Sequence, residues 1–446
     1  MLTRTSDKRK AQLRESRWRS ILEHEPTETH TPLSAFYLFP SGMMFSMTAQ
    51  PAEKLRLMIV AGEPSGDAHA AALVGALREV ESQAEFEFFG ATGAQMRGRR
   101  VESVVRADDL AILGLVEVAG ALPRFWRAYR ALKRAALERR PEAVILVDWP
   151  DFNLRLARAL HRRGLRIIYY ISPQLWAWRS YRVRNIRRDV DLLLAILPFE
   201  PAWYAERGIE QVEFVGHPLT GEVRPLYGRA EFCQRNDLDQ SRPIVALLPG
   251  SRHKELQRIL PPMLDAAARL ARARPETQFV IALAPSRQPA EAFAIIDAAS
   301  RNGLQPAPAV LRITQHATRE ALAAADVAAI ASGTATLEAA IIGTPLVIVY
   351  KESRLNWHTL GRLINSEHVG LINLIEGERL ATELIQDDLS GERLAEELAA
   401  LLDPARNREM RRRLREATAR LGAGGASARA ARSILKAVRS WRAGRG

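Results

Sequence analysis

From Leu55 onward the chain alternates short, unbroken apolar runs with stretches whose apolar positions recur at helical spacing. Residues 57–61, 87–90, 143–147, 166–171, 192–197 and 213–215 read as buried strands, with helices predicted over 69–79, 122–139 and 153–163. The pattern restarts after Ser241, where runs at 244–248, 279–283, 327–330 and 346–349 are each followed by a helical segment. A continuous apolar run marks a strand covered on both faces. Strand–helix alternation therefore predicts an α/β fold with parallel sheets and right-handed crossovers. The polar, Pro/Gly-bearing stretch 218–242 separates the two series. The expectation is two Rossmann-like doubly wound parallel-sheet domains, over 56–225 and 226–404, facing an interdomain cleft. In such sheets ligands sit beyond the carboxyl ends of the strands.

Composition changes little: 446 residues, 47% hydrophobic and 26% charged, suit a soluble globular chain of more than one domain. The single cysteine, Cys233, rules out an intramolecular disulfide framework or a thiolate zinc cluster and makes a reducing, cytosolic setting the default. Residues 1–55 are read as a weakly ordered extension, and no segment has the length and apolarity of a transmembrane helix. The net charge of +13 is concentrated in residues 405–446, where thirteen Lys and Arg face only Glu409 and Glu416. This basic helical tail suits an anionic surface or a solvated helix face. The body has no basic patch with interleaved aromatics, so nucleic acid is a remote alternative.

The candidate chemistry lies in the loops after the strands. Gly62-Glu63-Pro64-Ser65-Gly66-Asp67-Ala68-His69 follows the first strand and opens a helix. It reads either as an anion-binding helix start or as a tight turn capped by Ser65 or Asp67. Asp148, after 143–147, is either a general base raised in pKa beside Trp149 or a residue that orders its loop. Asp151 reads as the cap of the next helix. In 172–179, Trp176 and Trp178 stand beside Arg179 and offer stacking or phosphate contacts, or serve the core. Leu247-Leu248-Pro249-Gly250-Ser251-Arg252 places a glycine, a hydroxyl and a guanidinium at a helix start, a diphosphate cradle. Ser332-Gly333-Thr334 repeats that design, with Glu338 one turn inside the helix and able to reach a ribose diol. Together the two loops point to a nucleotide-sugar site. Asp189-Val190-Asp191 spells a metal-binding DxD but stands near no phosphate loop and is read as a helix end.

Seven motifs, AGEPSGD (61–67), VDWPDFN (147–153), ISPQLWAWR (171–179), LPFEPAWY (197–204), FVGHPL (214–219), LLPGSR (247–252) and ASGTATLEAAIIGTPLVIVYK (331–351), occur in this order. Together they resemble the lipid-A-disaccharide synthases, glycosyltransferases of GT-B architecture. The resemblance implies transfer of 2,3-diacylglucosamine from its UDP derivative to the 6-hydroxyl of 2,3-diacylglucosamine 1-phosphate (lipid X). UDP leaves and a β(1→6) disaccharide forms in Gram-negative lipid A biosynthesis. It further implies Asp148 as the base and Arg252, with N–H groups near Ser251 and at Ser332, Gly333 and Thr334, against the leaving diphosphate. Glu338 falls on the ribose. Asn373, preceded here by Ile372 where the family usually has proline, falls among the UDP contacts. Glu63, Ser65, Asp67 and His69 line the acceptor side.

The resemblance implies neither metal nor other cofactor, the UDP-sugar being a substrate, and no nucleic acid. A homodimer is left open. Acylated substrates imply attachment to the cytoplasmic face of the inner membrane. For that contact the segment 114–139 offers Leu122, Phe125 and Trp126 among arginines and lysines, as an interfacial helix or an ordinary core helix. The rival reading is another GT-B nucleotide-sugar enzyme, such as a UDP-N-acetylglucosamine epimerase or a lipid-carrier N-acetylglucosamine transferase.

Overall fold

All thirteen strands among the described residues run parallel to their neighbours, in two sheets. The computed structural model describes residues 53–110, 118–177, 179–301, 303, 308, 310–353 and 368–444, without the side chains of 110 and 118–122. Most of the proposed 1–55 extension, residues 114–117 of the proposed membrane segment, the Leu122 side chain and Trp178 thus lie outside the described residues.

The first sheet contains β1 (Lys54–Ala61), β2 (Glu85–Thr92), β3 (Glu102–Arg106), β4 (Ala143–Val147), β5 (Ile167–Tyr170), β6 (Leu192–Ala195) and β7 (Val212–Phe214), in the order β3-β2-β1-β4-β5-β6-β7. The second contains β8 (Ile244–Leu248), β9 (Gln278–Leu283), β10 (Leu311–Gln315), β11 (Val327–Ala331), β12 (Leu346–Tyr350) and β13 (Glu383–Ile385), in the order β10-β9-β8-β11-β12-β13. Each chain path runs outward one way and then restarts beside its first strand. The switch points therefore fall between β1 and β4 and between β8 and β11.

Strands β4, β8 and β11 are buried at every residue, as their unbroken apolar runs require. The sequence pattern left out β3, β10 and β13, all edge strands. Their sequences ESVVR, LRITQ and ELI carry polar residues, and most of their positions are half-buried, so no long apolar run marks them.

The basic tail is two packed helices. Helix Pro404–Ala419 buries Met410, Leu414 and Ala417 against the second sheet. After glycines at 422, 424 and 425 the chain crosses back. Helix Ala426–Ala443 then buries Ala430, Ala431, Ile434, Leu435 and Val438 in the core of the first sheet, beside helix Pro64–Val80. Its arginines meet carboxylates there: Arg442 pairs with Glu53 at 2.7 Å and Glu142 at 2.5 Å, and Arg439 with Glu53 and Glu81. These two arginines therefore tie the last helix to the first domain. The domains also share one apolar cluster, formed by Trp176, Leu197, Leu219, Val223, Leu337, Ile375 and Leu421.

Candidate functional site

Strand register brings the motif loops together in pairs. Ala61 pairs with Val147, so Gly62 and Asp148 leave the first sheet side by side. Leu248 pairs with Ile330, so the loops around Gly250 and Ser332 leave the second sheet in the same way. Each switch point is thus lined by two of the loops singled out in the sequence.

At the first switch point Asp148 and Trp149 both adopt left-handed backbone conformations, with φ of 48° and 50°. Such conformations cost about 1–3 kcal/mol each and persist where the surroundings over-determine them. Here they do. The Asp148 N–H donates to Tyr170 O at 3.2 Å, and Asp148 O accepts from Tyr169 Oη at 2.6 Å and Asn153 Nδ2 at 2.8 Å. Trp149 stacks on Phe152, centroids 4.1 Å apart. A Cβ at Gly62 would overlap the Trp149 ring, so this loop needs glycine for close approach. Burial, and then the negative charge of Glu63, raise the Asp148 carboxyl above its ordinary value. The sharp turn presents a half-buried carboxylate of raised pKa at the carboxyl end of β4.

The four residues expected on the acceptor side separate into two kinds. Glu63 and Ser65 are exposed, and His69 is half-buried, with a pKa lowered by burial and partly restored by Glu222. Asp67 is corrected. It is buried, and its carboxylate accepts from Gly93 N and Gln95 N at 2.8 Å and Met96 N at 3.2 Å. It therefore anchors the start of helix Ala94–Gly98 and has no lining role. Asp151 is corrected as well: Trp149 occupies the cap position, and Asp151 pairs with Arg179 at 3.0 Å and Arg182 at 2.5 Å. Trp176 is buried, donating from Nε1 to Glu200 at 3.2 Å, and so serves the shared apolar cluster.

At the second switch point a cavity of about 310 Å³ is lined by Gly250, Ser251, Arg252, Ser332, Gly333 and Thr334, among others. Arg252 precedes helix His253–Ala273, and its side chain, 81% exposed, pairs through Nη1 with Glu255 Oε1 at 3.1 Å. Gly250, at φ 109°, takes a conformation suited to glycine and lets the turn pass close to Glu255. Glu255 accepts from the N–H groups of Ser251 and Arg252 at 3.0 and 3.1 Å. The N–H groups near Ser251 are thus engaged, which corrects that part of the diphosphate cradle. Ser332 N likewise donates to Val349 O. At the start of helix Thr334–Ile342 the N–H groups of Thr334 and Ala335 lack intrahelical acceptors by helix geometry, whereas Thr336 N donates to Gly333 O at 3.1 Å.

Glu338 accepts from Arg319 Nη2 at 2.8 Å and Nε at 3.1 Å, a partner absent from every motif. Asn373 is corrected: it is fully buried, donating to Ala381 O and Glu383 Oε1 and accepting from Ala381 N. Its amide shapes the loop around Gly370, and both of its N–H donors are engaged there. Ile372, in place of the family's proline, is buried in the core.

The DxD pair is also occupied. Asp189 meets Arg188 at 2.6 Å, while Asp191, at the amino end of β6, accepts from Arg166 Nη1 and Ile167 N. It stands at the end of the strand opposite the motif loops. Helix Val118–Arg139 shows two faces: Phe125 packs within 6.0 Å of Trp149 and 6.5 Å of Phe152, whereas Trp126 is 57% exposed beside Arg130. Among the described residues no helix is long and apolar enough to cross a membrane.

A family model described as lipid-A-disaccharide synthetase matches residues 57–438. The chain is 40% identical over 382 residues to a lipid-A-disaccharide synthase of Geobacter sulfurreducens, covering 85% of this chain and 97% of that one. It is 41% identical over 382 residues to the Myxococcus xanthus synthase, with the same coverage. In fold it is similar to a putative UDP-N-acetylglucosamine 2-epimerase from Listeria monocytogenes (TM-score 0.56, 15% identity, 87% of this chain and 96% of that chain). It is likewise similar to Anabaena HepE in complex with UDP-glucose (TM-score 0.53, 12% identity, 86% and 99%).

Proposed function

The chain belongs to the lipid-A-disaccharide synthetase family, a premise from which we propose that it condenses UDP-2,3-diacylglucosamine with 2,3-diacylglucosamine 1-phosphate. It is a GT-B glycosyltransferase of lipid A biosynthesis. The observation that carries the site reading is that each sheet has a switch point built for chemistry, the first bearing a carboxylate of raised pKa and the second a cavity lined by Arg252, Ser251, Ser332 and Thr334.

In this reading Asp148 takes the proton of the acceptor 6-hydroxyl as that oxygen attacks the anomeric carbon of the donor. The bond to the UDP oxygen breaks on the opposite face, inverting the centre. Arg252 swings onto the departing diphosphate, and the N–H groups at the start of helix Thr334–Ile342 share its charge, with no metal required. Glu338 holds the ribose, while Glu63, Ser65 and His69 lie on the acceptor side. Trp126 and the arginines around it support attachment to the inner face of the cytoplasmic membrane. Incubation with both glycolipids, read by mass spectrometry, tests the reading: disaccharide 1-phosphate and UDP are expected. Hydrolysis or epimerisation of the donor without disaccharide would point to the rival GT-B class.

A further inference from the structure

Arg319 lies in helix Thr318–Ala324, directly after Thr318, which lines the cavity of the second domain. Its guanidinium makes three contacts in two directions. Nε and Nη2 both donate to Glu338 Oε1, at 3.1 and 2.8 Å, while Nη1 donates to the Glu222 carbonyl at 2.9 Å. Glu222 ends the short helix Leu219–Glu222, in the stretch that joins the two sheets. Two donors converge on a single oxygen of Glu338, and Oε2 takes no part in the pair.

We infer that Arg319 is a positioning residue for donor recognition, clamping Glu338 to the interdomain stretch so that its carboxylate selects the ribose hydroxyls of the UDP moiety. The inference rests on the ribose role proposed for Glu338. A glutamate has three rotatable side-chain bonds, and holding it in one rotamer costs conformational entropy that a prepaired guanidinium removes in advance. The planar fork of arginine can reach the carboxylate and a backbone carbonyl together, whereas a lysine ammonium lacks that geometry. Ribose hydroxyls do not change during transfer, so loss of the clamp raises the donor KM and leaves kcat close to wild type.

The test is calorimetric titration of the full-length protein with UDP and with 2′,3′-dideoxy-UDP, beside steady-state kinetics. Wild type should bind UDP about 10–100-fold more tightly than the dideoxy analogue, as expected for hydrogen bonds to a carboxylate. Glu338→Gln should lose most of that preference. Arg319→Met should lose it too, while binding dideoxy-UDP as wild type does, and Arg319→Lys should fall between. If Glu338→Gln keeps the preference, the ribose reading itself fails. If Glu338→Gln loses it while Arg319→Met or Arg319→Lys keeps it in full, the clamp is overturned. Weakening of UDP and its dideoxy analogue by equal factors in Arg319→Met would overturn it as well, showing a contact to the diphosphate. Should Arg319→Met not fold, Arg319→Lys carries the comparison.

Discussion

Asn153 holds Asp148 in its left-handed turn: its Nδ2 donates to Asp148 O at 2.8 Å and also reaches Val147 O at 3.2 Å. The amide belongs to the first turn of helix Pro150–His161, so the helix locks the strand end that carries the proposed base. Asn153→Ala removes a donor to Val147 O and one of two donors to Asp148 O, leaving Tyr169 Oη on the latter, and relaxes a strained conformation. Stability should fall by about 1–3 kcal/mol, measured by denaturant unfolding. Turnover should fall about 10–100-fold because the carboxylate is misplaced, with UDP affinity unchanged. Wild-type kcat in a folded Asn153→Ala protein would show that the turn does not position the base.

The Arg252 side chain is 81% exposed at the cavity of the second domain, and its partner Glu255 is also tied to two backbone N–H groups. Arg252→Ala should therefore leave the fold intact and remove a charge-assisted contact to the leaving diphosphate. A loss of about 2–4 kcal/mol in transition-state stabilisation is expected from kcat/KM, with the melting temperature unchanged.

Exposure separates the two aromatic residues proposed for membrane contact. Trp126 stacks on Tyr129 near the surface, whereas Phe125 packs with Trp149 and Phe152 beside the Asp148 turn. Burying an indole in the bilayer interface contributes roughly 1.5–3 kcal/mol, so Trp126→Ser should weaken binding to anionic vesicles about 10–100-fold. Phe125→Ser should instead lower stability. Co-sedimentation and thermal melts distinguish the two, and equal vesicle binding by wild type and Trp126→Ser would contradict the assignment.

Glu200 is fully buried, accepting from Trp176, Ile196 and Leu197, and burial pushes its carboxyl up to about 7. The folded value lies above the unfolded one of about 4.3, so folding favours the protonated form. This contribution is complete below about 4.3 and is lost as pH rises through about 7. Melting temperatures of wild type should therefore decline more steeply between about pH 4.3 and 7 than those of Glu200→Gln. Parallel slopes would place the titration elsewhere.

The interior strands were legible because a strand covered on both faces must be apolar throughout, as in IVALL of β8 and VAAIA of β11. The edge strands β3, β10 and β13 escaped because they carry polar and half-buried positions. At the site, Asp148 and Arg252 stand in loops after β4 and β8, a placement that follows from strand order. Side-chain partners did not follow. Asp67 resembles a loop carboxylate until Gly93, 26 residues away, is seen to donate to it. Asn373 resembles a ligand amide until Glu383 is found against it. Arg319 lies in no phosphate loop, and only its contact with Glu338, 19 residues on, gives it a role. Motifs report which groups stand at a strand end; tertiary pairing decides which of them remain available.

In the proposed reaction Asp148 accepts the proton of the acceptor 6-hydroxyl. Asp148→Asn keeps the size of the side chain and the backbone bonds of the turn but cannot take a proton. Single-turnover kinetics with both glycolipids should show turnover reduced about 10²–10⁴-fold, with UDP affinity as in wild type. Removing a buried charge should also raise the melting temperature at neutral pH, because burial holds the Asp148 pKa above its ordinary value. The wild-type rate should fall with acidity through that raised pKa. A folded Asp148→Asn protein that turns over at the wild-type rate would contradict the account, all the more if His69→Gln were inactive.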